Sequence, residues 1–152
     1  MFSLTLIVGM IIFLDQLTKG LILSFMPLHT THEIIPGFFN LVHVRNTGAA
    51  FSLLAGAPLF WRRTILIGLT IVVVALLVFA YTKVHHAEKW TRSAYALIVG
   101  GALGNLIDRL RLGEVVDFLD FYMGTLHWPA FNVADSAITV GGVMLFISLL
   151  RK

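Results

Sequence analysis

The chain has 152 residues, of which 58% are hydrophobic and only 12% charged, with a mean hydropathy of +0.90. A soluble domain is about a quarter charged, so this composition describes a single integral membrane domain and excludes an ordinary soluble protein. The net charge of +3 comes without a basic cluster interleaved with aromatics, which argues against nucleic acid as a partner; the lack of cysteine excludes disulfides, thiolate catalysis and cysteine metal sites.

Residues 3–25 are long enough to cross a bilayer as a helix at about 1.5 Å per residue. The segment has no basic n-region and no small-residue cleavage site before Pro27, so a retained transmembrane helix is expected rather than a signal peptide. Asp15 and Lys19 interrupt it. Four residues apart, they share a face and can pair. Such a pair either only neutralises itself or also positions a neighbouring site, and Lys19 alternatively reaches the headgroups.

Residues 27–58 change character. Pro27, Pro36 and Pro58 punctuate them and no long apolar run survives. Phe39, Leu41, His43 and Arg45 alternate with Asn40, Val42 and Val44, a strand pattern, and Asn46-Thr47-Gly48 reads as a turn. A small non-helical unit on one membrane face is predicted here.

A second span is predicted over 61–82. It has no charge from Thr64 to Tyr81, with Trp61, Arg62 and Arg63 at one interface and Tyr81 and Lys83 at the other. Residues 83–92 form a polar connection. A third span, 93–112, carries Asn105, Asp108 and Arg109 in its last turns, and its Gly100 and Gly104 allow close helix packing. After a loop over 113–133, a fourth span runs over 134–150 and ends at Arg151-Lys152.

Four spans place both termini on one side. That side holds five Lys/Arg and the opposite side six, so basic charge does not decide the orientation. The acids are lopsided: Glu88 lies on the first side and the other seven on the second. Alternating helix direction brings Asp15, Lys19, Asn46, Asn105, Asp108, Arg109, Asp117, Asn132 and Asp135 to that second face. Asn132, three residues before Asp135, suits a helix cap.

An intramembrane carboxylate is costly unless it is used. Asp117 and Asp135 together supply what peptide hydrolysis needs: a base to activate water and an acid for the leaving nitrogen. Close carboxylates share one proton, which splits their apparent pKa values. Asp120 is expected to be a supporting or solvated residue, and Asp108 a local partner of Arg109. The six histidines show no H-E-x-x-H spacing. His127 with the aspartates is the one weak metal alternative, and Lys19 with Ser24 or Ser52 a weak Ser–Lys one. A transporter reading requires a polar path through several spans, which the uncharged second span does not offer. A non-catalytic scaffold is the remaining rival.

Five ordered blocks, DQLTK (15–19), VRNTGAAFSLL (44–54), GGALGNLIDRL (100–110), VVDFLDF (115–121) and FNVADSAI (131–138), resemble signal peptidase II, the family of bacterial membrane aspartyl peptidases that process prolipoproteins. The resemblance covers almost the whole chain. It implies a mainly α membrane protein of four transmembrane helices, with an extracytoplasmic β-cradle at about 30–58 and a site-covering loop at 113–133. It implies catalysis by Asp117 and Asp135, with substrate-binding or supporting roles for Asp15, Lys19, Asn46, Gly48, Gly104, Asn105, Arg109, Asn132 and Ala134. The implied substrate is a diacylglyceryl-modified prolipoprotein, cut just before the lipidated cysteine. No metal or organic cofactor is expected. Membrane lipids and globomycin-type inhibitors are the other implied partners. The implied place is the bacterial inner membrane, with the site near its periplasmic or outer face, and because one chain carries all of the site a monomer is expected.

Overall fold

The structure, a computed structural model, describes residues 2–48, 58–86 and 88–151. In chain order the elements are α1 (Phe2–Phe25), β1 (Thr31–Ile35), β2 (Phe39–Asn46), α2 (Leu59–Lys83), α3 (Lys89–Arg111), β3 (Val115–Met123), β4 (Leu126–His127) and α4 (Val133–Leu150). Part of the predicted 30–58 unit, residues 49–57, lies outside the described residues, as does Ser52.

Proline sets the first boundaries: Pro27 follows α1 and Pro58 precedes α2, because a residue before proline is pushed out of the α region and proline itself is tolerated at a helix start. By length and composition α1, α2 and α4 each suit a membrane span, over Leu4–Phe25, Phe60–Lys83 and Val133–Leu150. Phe13, Leu69, Leu76, Phe79 and Phe146 all stand outward, more than half exposed, as lipid-facing side chains do.

α3, the expected third span, is as long but too polar to pass the same test. Its position explains this. α3 packs against α1, α2 and α4, so Arg92, Asn105 and Asp108 are buried in protein. Arg92 lies over the Tyr81 ring, 4.0 Å from its centroid, and donates to the Val84 carbonyl at 3.0 Å. Glycine makes the approach possible: a Cβ on Gly101 would lie 2.3 Å from the Ala134 carbonyl oxygen, and one on Gly104 2.7 Å from an Asp15 oxygen.

The 113–133 segment is not simply a loop. β3 and β4 lie in it, and the sheet order is β1-β2-β3-β4. β3 reads VVDFLDFYM, rich in the aromatic and β-branched residues that favour strands, and β2 supplies its antiparallel partner from 69 or more positions away. Local sequence shows no such partner, which is why a loop was predicted. Val116 and Phe118 pack on Ile22 of α1, so the pleat turns Asp117 to the opposite face.

The alternation predicted for 39–46 also fails part-way. Leu41 pairs with Leu119, but Val44 pairs with Asp117, so β2 carries one extra residue at Val42–His43. This bulge moves every later side chain of β2 to the other face.

Candidate active site

The site is built where α1, α3, β3 and the start of α4 meet. On α1, Asp15 and Lys19 pair at 2.9 Å, both buried. Lys19 also reaches Asp108 at 2.8 Å and donates to Asn105 Oδ1 at 2.9 Å. Asp108 therefore partners Lys19 rather than the adjacent Arg109, because neighbours on a helix point about 100° apart. The other Asp108 contacts hold β3 and α1: it accepts from the Val116 N–H at 3.1 Å and from Gln16 Nε2 at 3.0 Å.

Two side chains cap α4. Asn132 Oδ1 accepts from the Asp135 N–H at 2.9 Å, the cap its spacing predicts. Asp15 Oδ1 accepts from the Ala134 N–H at 3.0 Å, satisfying a second of the helix's unpaired N-terminal donors. Ala134 is fully buried, and its Cβ is the third nearest atom to a Cβ added on Gly104. Its backbone and its small side chain are thus both used.

Asp117 and Asp135 are joined through two amides. Asn132 Nδ2 donates to Asp117 Oδ1 at 2.7 Å, and it lies 3.2 Å from Asn105 Oδ1. Asn105 Nδ2 donates to Asp135 Oδ1 at 2.8 Å. Asn46 also bonds the Asp117 carboxylate, while its Oδ1 accepts from the Gly48 N–H at 3.0 Å. Burial first, then the charge of Asp135, push Asp117 up to about 7, against hydrogen bonds from Asn132 and Asn46 and the Lys19 charge. Arg109 is in electrostatic reach of Asp135 and Asp117. The arrangement offers two carboxylates coupled by charge and oriented by amides, with Asp117 pushed up to about 7.

The eleven residues singled out from sequence all belong to this neighbourhood or its supports. Asp120 does not. Three positions after Asp117, it projects from the other face of β3, where it accepts from Asn40 at 2.8 Å and meets His127 Nδ1 at 2.9 Å. It is buried rather than solvated. His127 is thus engaged by Asp120, and among the described residues no group of three His, Asp or Glu is gathered for a metal. Gln16 was missed. It bonds Asp108 and the Gly104 carbonyl, the latter at 3.2 Å, and accepts from Arg111 at 3.2 Å. The only signal for it was its place in the DQLTK block.

Comparisons with known proteins show the family. A family model described as signal peptidase (SPase) II matches residues 7–151. A lipoprotein signal peptidase of Syntrophotalea carbinolica is 49% identical over 148 residues, covering 97% of this chain and 91% of that one. One from Vibrio vulnificus is 51% identical over 120 residues, covering 79% and 70%. A solved bacterial membrane enzyme is 36% identical and superimposes with a TM-score of 0.89 over 99% of this chain and 89% of its own. With a matched family model over nearly its full length, the chain belongs to the signal peptidase II family of aspartic peptidases.

Proposed function

We propose that Asp117 and Asp135 are the catalytic pair of this peptidase and that it removes the signal peptide from diacylglyceryl-modified prolipoproteins, cutting just before the lipidated cysteine. The observation that carries the reading is the Asp117–Asn132–Asn105–Asp135 chain of hydrogen bonds. It holds two carboxylates in one partly buried place, where a single proton is shared. The ionised carboxylate takes a proton from water, and the resulting hydroxide attacks the scissile carbonyl. The protonated carboxyl hydrogen-bonds the carbonyl oxygen. As the C–N bond breaks, the proton taken from water passes to the leaving amine of the cysteine.

α3 completes the set of four transmembrane helices as the third of them, shielded by its three neighbours, and the sheet lies on the periplasmic or outer face of the bacterial inner membrane. Lipid-modified cysteine fits a site at the end of an apolar bundle: each acyl CH₂ buried against it contributes about 0.8 kcal/mol. Arg109, Asn105 and Asn132 orient the carboxylates and the substrate backbone. Globomycin-type inhibitors occupy the pair, no metal or organic cofactor takes part, and one chain works as a monomer.

The test is cleavage of a diacylglyceryl-modified prolipoprotein in detergent by wild type, Asp117→Asn, Asp135→Asn and Asp120→Asn, each with and without a chelator. Wild type and Asp120→Asn are expected to cut in both conditions, while the other two variants, folded, do not. Near-normal cleavage by either dyad variant overturns the assignment, and chelator-sensitive cleavage overturns the metal-free mechanism.

A further inference from the structure

His43 is buried, 3% exposed, and no step above uses it. Its Nδ1 lies 2.8 Å from the Met26 carbonyl oxygen at the end of α1. A carbonyl only accepts, so Nδ1 carries the hydrogen. Its Nε2 is buried and has no hydrogen-bond partner among the described residues, a cost that calls for a reason elsewhere in the residue's role. The backbone of His43 is held on the same side: its N–H donates to the Thr30 carbonyl at 3.0 Å and its carbonyl accepts from the His29 N–H at 2.8 Å. His43 therefore fastens β2 to the end of α1 and to the turn that follows.

It does so at the bulge. From Leu41↔Leu119 to Val44↔Asp117, β2 advances three residues while β3 advances two. Beyond the bulge, Val44 and Asn46 lie on the Asp117 face, because they pair with Asp117 and Val115. With regular pairing continued from Leu41, His43 would stand opposite Asp117 and Arg45 opposite Val115. Asn46 would then fall on the far face. The extra residue thus decides whether a neutral amide or a guanidinium stands beside Asp117. The observed choice is Asn46, which bonds the carboxylate.

We propose that His43 is a positioning residue for the catalytic pair: by anchoring the bulge to the Met26 carbonyl it keeps Asn46, and not Arg45, against Asp117. The inference rests on the reading of Asp117 as catalytic.

The experiment compares the full chain in detergent as wild type, His43→Leu and His43→Asn, with Asp117→Asn as the inactive reference. Leucine fills the space and removes the donor. Asparagine places its Nδ2 near the position of the histidine Nδ1 and keeps it. Cleavage of the lipidated prolipoprotein substrate is followed as a function of pH, and the Asp117 carboxyl is titrated by infrared difference against Asp117→Asn. For His43→Leu, kcat is expected to fall by about ten- to a hundredfold with KM changed much less. The alkaline limb and the carboxyl titration are expected to move down by about one pH unit, since a guanidinium beside a carboxylate favours its ionised form. His43→Asn recovers most of both. Unchanged titration and kcat within about twofold in folded His43→Leu overturn the proposal, as does an equal defect in His43→Asn. Should wild type leave the substrate uncut, the function assigned above fails, and the infrared titration of the three proteins alone decides the positioning role.

Discussion

Asp15, in the middle of the first helix, accepts a hydrogen bond at 3.0 Å from the backbone N–H of Ala134, 119 residues later at the start of the last. The same carboxylate pairs with Lys19. Helix α1 thereby fixes both the cation beneath the candidate dyad and the first turn of the helix that carries Asp135. The candidate site is in this sense a junction of the middle of α1, the last turns of α3 and the start of α4, held by charges that the bilayer would not tolerate singly.

Removing the cation should be severe. Lys19→Met leaves Asp15 and Asp108 facing each other, buried at 2.9 and 2.8 Å from the lost ammonium. Breaking a buried ion pair typically costs about 3–5 kcal/mol. Thermal or denaturant unfolding in detergent should show that loss together with loss of cleavage. A variant as stable as wild type removes the structural role of the pair.

The pH dependence follows from Asp117, which is pushed up to about 7 by burial and by Asp135. Its protonated form is favoured by the fold, so its contribution to stability is present below the ordinary carboxylate range and is lost as pH rises through about 7. The proposed mechanism requires one protonated carboxyl, so kcat/KM should decline on the alkaline side with an apparent pKa near that value. On the acidic side it should decline as the second carboxylate is protonated. A flat profile through neutrality contradicts the proton-sharing mechanism.

Asn132 does two separable things: it caps α4 through its oxygen and bonds Asp117 through its nitrogen. Asn132→Asp keeps the capping oxygen but replaces the donor by a third carboxylate. It should retain a folded α4, lose at least about a hundredfold in kcat, the scale of a misplaced catalytic group, and raise the pH of the alkaline limb. Asn132→Ala should in addition cost about 1–2 kcal/mol of stability through the missing cap. Circular dichroism, unfolding and a pH–rate profile separate the two effects; a fully active Asn132→Asp enzyme rules out the bridging role.

Close packing of α3 on α4 is tested by glycine. A Cβ at Gly101 would sit 2.3 Å from the Ala134 carbonyl oxygen, backbone that cannot move aside, whereas one at Gly142 meets nothing within 4 Å. Gly101→Ala should destabilise by about 1–3 kcal/mol and impair cleavage, because the helices must part at the residue preceding Asp135. Gly142→Ala should be neutral or stabilising by up to about 1 kcal/mol. Equal melting temperatures for the two variants contradict the close contact.

Composition alone determined that this is a membrane protein, since 58% hydrophobic and 12% charged residues cannot cover a soluble surface. The long helices and the cap at Asn132 were legible too, because hydrophobic runs and capping patterns act within a few residues. The ordered motifs pointed to the family and to Asp117 and Asp135 as candidates. Tertiary structure decided what depends on distant partners. It paired Asp108 with Lys19 rather than with its neighbour Arg109, made a strand of the stretch around Asp117, and used Asp15 to cap α4. It also inserted the bulge that puts Asn46 beside the dyad. Strand register and helix crossing are set by contacts between residues far apart in the chain, and no local period of the sequence records them.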